Sequence, residues 1–203
     1  MDLFINALNA QERGHMPTTQ PISVSADQYR ALQRPLIELP TPAQLFDFQV
    51  ETLVGKGLAT YEHADPFRKD LPSGLFLLVP PQPAKLDLTE LMAKVELVGK
   101  TGVNTLDAGH LTDIIETPAG PYLMIDVEDG AGRLNTKPSI SRQNIKKEGR
   151  SPYTAWRGII HTTVFPQVLS HHYLELVGSR YGKGRVPCLY LNGGHPKLDY
   201  DWG

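Results

Sequence analysis

The stretch YLELVGSRYGKGRVPCLYL, Tyr173 to Leu191, decides the fold class. Two apolar strings carrying Tyr and Val, Tyr173 to Val177 and Val186 to Leu191, flank Gly178 to Arg185, and Gly182-Lys183-Gly184 has the composition of a hairpin tip. The pattern predicts a C-terminal β-hairpin. Pro187 has no amide proton, so its strand is expected at a sheet edge or to begin there. Asn192-Gly193-Gly194 reads as a turn after the last strand.

Working upstream, Thr154 or Ser151 caps a helix on which Trp156, Ile159, Ile160 and Thr163 share a face, and Gly158 inside it marks a close approach to a neighbouring element. Thr136 and Pro138 open another helix that ends at Gly149, with Lys146 and Lys147 in its last turn. Tyr122 to Val127, between Pro121 and Asp129-Gly130, reads as a strand. Val95 to Val103 reads as extended, broken at Gly99 and Gly102, while Leu111 to Ile115 is a short apolar piece without a clear period. Asp87 and Glu90 cap a short helix carrying Leu88, Leu91, Met92 and Val95. Leu75 to Val79, stopped by Pro80-Pro81, reads as a buried strand. Thr41, Pro42 and Gln44 form a strong helix start, followed by the stripe Phe46, Val50, Leu53 and Val54. Ser25 and Gln28 suggest one more capped helix, interrupted at Pro35.

Helices precede and separate strands without strict alternation, so the class is α+β: a single domain with a mixed or mainly antiparallel sheet, packed helices and a C-terminal hairpin. Residues 1–40 read as a partly helical N-terminal extension and residues 41–203 as the α+β domain.

A hydrophobic fraction of 40% and a charged fraction of 21% suit a globular chain of 203 residues and argue against wholesale disorder. No apolar run reaches the ~20 residues that span a bilayer, and Met1 to His15, with Asp2 and Glu12, lacks the basic and apolar regions of a secretory signal. A cytoplasmic location without membrane contact is the expectation. Cys188 is the single cysteine, which excludes an intrachain disulfide and multi-cysteine metal sites; its apolar setting fits a buried hydrophobe. The net charge of −2 conceals an asymmetry: residues 1–135 hold 10 Lys+Arg against 18 Asp+Glu, and residues 136–203 hold 10 against 4. Such a split serves an anionic partner or holds the two halves together.

The ordered strings Asp126-Val127-Glu128, Gly149-Arg150-Ser151-Pro152-Tyr153-Thr154, Gly178-Ser179-Arg180, Arg185-Val186-Pro187 and Pro196-Lys197-Leu198 resemble a bacterial family of uncharacterised proteins, one of the domain-of-unknown-function families. The resemblance begins near Phe46 and covers about three-quarters of the chain. It departs after Leu198, where family members continue Gly-Trp-Cys-Trp and this chain has Asp199, Tyr200, Asp201 and Trp202. It implies a shared fold and supplies no activity.

Arg150, Arg180, Arg185 and Lys197 each lie within two residues of Gly or Pro in expected turns; converging, they would bind a phosphorylated or carboxylated small ligand. Paired with Asp126 or Glu128, they would instead be structural. His161, His171, His172 and His195 with Asp126, Glu128, Asp199 and Asp201 lack metal-ligand spacing, so no metal is expected. No nucleophile elbow, phosphate-binding loop or dinucleotide fingerprint is present, and no cofactor is expected. The acidic balance disfavours nucleic acid, and Tyr173, Tyr181 and Tyr190 read as packing residues before an aromatic platform. Three readings follow: a binding module for an anionic small molecule or acidic protein surface; a hydrolase-like or transferase-like enzyme with Asp126 or Glu128 as base opposite those cations; and a protein-interaction or scaffold role. The sequence leaves the oligomeric state open.

Overall fold

The computed structural model describes residues 40–202, and the expected helix around Ser25 and the partly helical extension lie outside them. Thr41 accepts from Gln44 N at 3.3 Å while its own N–H donates to Gln44 Oε1 at 2.9 Å, so the expected capping box starts α1, Pro42–Gly55. The stripe from Phe46 to Leu53 is buried. Gln49 lies within it: its Nε2 donates to Phe76 O at 3.0 Å and its Oε1 accepts from Leu78 N at 2.8 Å. That side chain therefore supplies the hydrogen bonds of a missing neighbour to β1, Phe76–Val79, whose other edge pairs antiparallel with β6, Tyr122–Ile125. All four β1 residues are buried, as the continuous apolar run implied.

After a short helix α2, Tyr61–Ala64, and β1, the cap at Asp87 opens α3, Leu88–Lys94. The glycine-punctuated segment that follows is extended, as expected. It forms the small hairpin β2, Glu96–Leu97, and β3, Lys100–Thr101, then β4, Val103–Asn104. Its two-residue turn places Val98 at φ 50° and Gly99 at φ 72°, the left-handed pair of a tight hairpin turn.

The main sheet has six strands and curls into a half-barrel. Its path runs from β4 through β10, His195–Trp202, β9, Arg185–Asn192, and β8, Ser179–Tyr181, to β5, Leu111–Asp113; β7, Leu174–Glu175, also pairs with β9. All pairs are antiparallel except β10 with β4. The expected tip at Gly182–Gly184 joins β8 to β9. Asn192-Gly193-Gly194 does not follow the last strand, as expected, but precedes it. Gly193 at φ 58° and Gly194 at φ 81° turn the chain into β10, so the longest hairpin is β9 with β10, not the one ending at Leu191. Pro196 and the charges of Lys197, Asp199 and Asp201 disguise a period of two in which Pro196 and Leu198 are buried. Pro187 is likewise not at an edge: it faces Tyr200 on one side, and on the other its carbonyl accepts from Leu176 N at 2.9 Å. Proline is tolerated there because the β7 ladder stops at Glu175 and that of β8 begins at Tyr181.

Two helices complete the described residues. α4, Pro138–Lys147, begins on Pro138 with Lys137 as cap residue and no side-chain cap, so Thr136 does not serve. It ends in a Schellman turn, with Gly149 at φ 70°, Gly149 N donating to Lys146 O at 3.1 Å and Arg150 N to Ile145 O at 3.0 Å. α5, Ala155–Val164, is capped by Thr154 and buried at all ten positions, packed between α1, α3, β1 and β9. Its enclosure explains Gly158, where a Cβ would lie 2.2 Å from Leu176 Cδ2. Among the described residues no helix is long and apolar enough to cross a membrane. Five α-helices and ten strands, with helices packed on mixed sheets, make the class α+β.

Candidate functional site

A hollow of about 900 Å³ opens between β6, the Asp126–Gly130 loop, the C-terminal end of α4, the start of α5 and the segment 172–177. Buried residues form its floor: Val127, Asp129, Tyr153, Arg157, Leu174 and Val177. Exposed Ile125, Asp126, Leu134 and Tyr173 stand at its rim.

Arg157 is the third residue of α5 and is only 4% exposed. Its Nε donates to the Tyr122 hydroxyl at 2.7 Å, and its Nη1 donates to Ser151 Oγ at 2.7 Å and to Pro152 O at 2.9 Å. These three acceptors use three of its five N–H groups and are all uncharged. No carboxylate among the described residues comes within ion-pairing distance of it. Nη2 has no acceptor among them either. It is not sealed in protein, because Gln167 Oε1 is the one enclosed, unbonded side-chain polar atom of the described residues. Arg157 is one of the residues that line the hollow.

The rim cations differ. Arg150, set just past the Schellman turn, donates Nη1 to Asp126 Oδ2 at 2.5 Å and Nη2 to the Asp126 carbonyl, and lies 3.7 Å from Glu128. That double grip holds Asp126 at φ 52°, a left-handed conformation that ends β6 two residues before the expected boundary. Arg133 pairs with Glu148 and, at 3.5 Å, with Glu128. The hydrogen bond from Arg133 holds the Glu148 carboxyl below its ordinary range, and Glu148 raises Arg133 in turn.

Behind the floor, the Tyr153 hydroxyl and His161 Nδ1 share a buried 2.5 Å hydrogen bond, the rings edge to face. Burial pushes His161 down to about 4 and Tyr153 well above the ordinary phenol range, so both are neutral at pH 7. Asp129 accepts from Ala131 N at 2.8 Å and its carbonyl lies 3.0 Å from His172 Nε2. Among the described residues no three metal-ligating side chains gather.

Of the four cations expected to converge, Arg150 lines the hollow and the other three do not. Arg180, on β8, donates to Ser179 O at 3.0 Å. Arg185 lies 4.4 Å over the Tyr200 ring, and Lys197 bonds Asp199 at 2.6 Å beside the Tyr190 ring. Tyr173 stacks on Tyr190 and Tyr181 on Tyr200, which makes these tyrosines packing residues. Sequence reasoning passed over Arg157 and Arg133. With Trp156, Ile159, Ile160 and Thr163 taken as the inner face, Arg157 falls on the side assigned to solvent; α5 is buried on every side, and the apolar residues surrounding Arg157 were the available signal.

Neither a curated protein nor a solved structure matches the chain. Residues 37–202 match the model of a family of unknown function, DUF5701, a span that begins slightly before the resemblance noted at Phe46. With the match covering every described element, the chain belongs to that family.

Proposed function

We propose that this chain is a binding module for a small anionic ligand, held in the hollow by Arg157. The observation that carries the reading is a buried guanidinium that lines a cavity, with three neutral partners and an unengaged Nη2. Taking an arginine out of water costs several kcal/mol unless a counter-charge compensates it, and a bound anion supplies that charge. The two remaining N–H groups, both on Nη2, suit a carboxylate or phosphate oxygen. A cytoplasmic setting and a bacterial source accompany this reading, supported by the free, buried Cys188 and by the strings shared with the bacterial family. Arg150 contributes at the rim; Arg180, Arg185 and Lys197 would act only through a second surface.

Thermal unfolding of the full chain against a panel of carboxylates and phosphates tests the reading. A ligand at 100 times its Kd stabilises by about 2.7 kcal/mol. That corresponds to an upward Tm shift of roughly 5–10 °C for a domain of this size. Arg157→Gln is expected to remove the shift. A flat response across the panel would remove the anion reading and leave the scaffold role.

The alternative enzyme with Asp126 or Glu128 as general base has less support, because each carboxylate is already engaged by Arg150 or Arg133.

A further inference from the structure

We infer that the ligand is a monocarboxylate with an apolar body, an alkyl or aryl acid; the inference rests on the anion site just described. Charge limits the head group. Three guanidiniums line the hollow, but Arg133 and Arg150 are already matched by Glu148, Glu128 and Asp126, while Asp129 and Glu175 add further carboxylates to the lining. Of these three guanidiniums only Arg157 has no carboxylate partner among the described residues, so one is left for a ligand's charge, and the surplus of carboxylates in the lining repels a dianion such as a phosphate monoester.

Size and lining describe the rest. About 900 Å³ is far more than an inorganic ion fills and lies in the range of drug-sized ligands. Above the buried floor, Ile125, Leu134 and Tyr173 are 66%, 55% and 58% exposed and all belong to this one hollow. They are three of the nine large apolar side chains exposed among the described residues, a concentration around one opening that an apolar ligand body would cover. Leu123, Leu174 and Val177 continue the apolar surface inward to Arg157. A carboxylate at Nη2 therefore leaves its body along an apolar path to the rim.

Calorimetric titration of the full chain with butyrate, hexanoate, octanoate and decanoate, and with glucose 6-phosphate, tests the inference. Affinity is expected to rise about fourfold per added methylene, the factor that ~0.8 kcal/mol per buried CH₂ represents, until the rim is reached. Glucose 6-phosphate should bind more weakly than decanoate. Ile125→Ser and Leu134→Ser alter exposed positions that the fold does not need, and should weaken decanoate several-fold while leaving butyrate unchanged. Should Arg157→Gln fail to fold, Leu134→Glu gives a second check, since a carboxylate at the mouth should weaken every acid of the series. Equal affinity along the series, or tighter binding of glucose 6-phosphate, overturns the apolar body and leaves the anion site standing. Silence with every anion overturns both.

Discussion

Arg157 Nε donates to the Tyr122 hydroxyl at 2.7 Å, tying the enclosed helix α5 to the strand β6 that walls the hollow. Tyr122→Phe deletes that acceptor and frees a buried N–H of a charged group. Hydrogen bonds to charged groups contribute about 1.5–3 kcal/mol, so a loss of that size is expected in urea unfolding. A variant as stable as the parent would show that Ser151 and Pro152 suffice to hold the guanidinium.

Gly158→Ala should destabilise. The new methyl would lie 2.2 Å from Leu176 Cδ2, and Leu176 is fully buried. Overpacking costs typically about 1–3 kcal/mol, and so tight a contact belongs to the upper part of that range. Alanine's helix propensity returns about 1 kcal/mol, leaving a net loss of about 1–2 kcal/mol. Combined with Leu176→Ala, the loss should be smaller than the two single losses added, as a double-mutant cycle would measure.

Val98→Asn should stabilise by about 1 kcal/mol, because a β-branched residue at φ 50° is strained and Asn accepts that conformation. Val98 is 90% exposed, so no packing is lost. A raised urea midpoint with unchanged slope is the expected readout.

Stability should fall as the medium is acidified from pH 6.5 to about 4. An unfolded histidine titrates near 6.5, whereas burial holds His161 to about 4. Between those values the unfolded chain takes up a proton that the folded chain does not. Each unit of acidification then costs about 1.4 kcal/mol, and the loss levels off below the folded value. His161→Gln should flatten this limb between pH 6.5 and 5. The lowered carboxyls of Glu148 and Asp199 act further down, below their ordinary values of 4.5 and 3.8.

Cys188 should resist a thiol reagent at pH 8 until the chain is unfolded. Burial, with the carboxylates of Asp199, Asp201 and Glu175 adding to it, pushes the thiol up to about 12. Immediate colour with a disulfide reagent under native conditions would contradict the enclosed position of β9.

Local signals carried much of the architecture. The capping box at Thr41 and Gln44, the stop at Pro80-Pro81 and the breakers at Gly99 and Gly102 depend on neighbours in sequence, and each matches a boundary in the structure. What was hidden depends on neighbours in space. The strand β10 carries Pro196 and three charged residues, acceptable because its partners β9 and β4 decide its conformation. Arg150 was legible as a cation past a helix end; that it grips Asp126, and that α5 is walled in so as to bury Arg157, follows only from tertiary packing.

The parallel pairing of Lys197 with Val103 and of Leu198 with Asn104 has a consequence for biosynthesis. A nascent chain halted before residue 195 would leave the edge of β9 bare and β4 without a ladder, so the half-barrel closes only once residues 195–202 have left the ribosome. Closure of the sheet therefore waits on β10, with an open sheet margin in the interval.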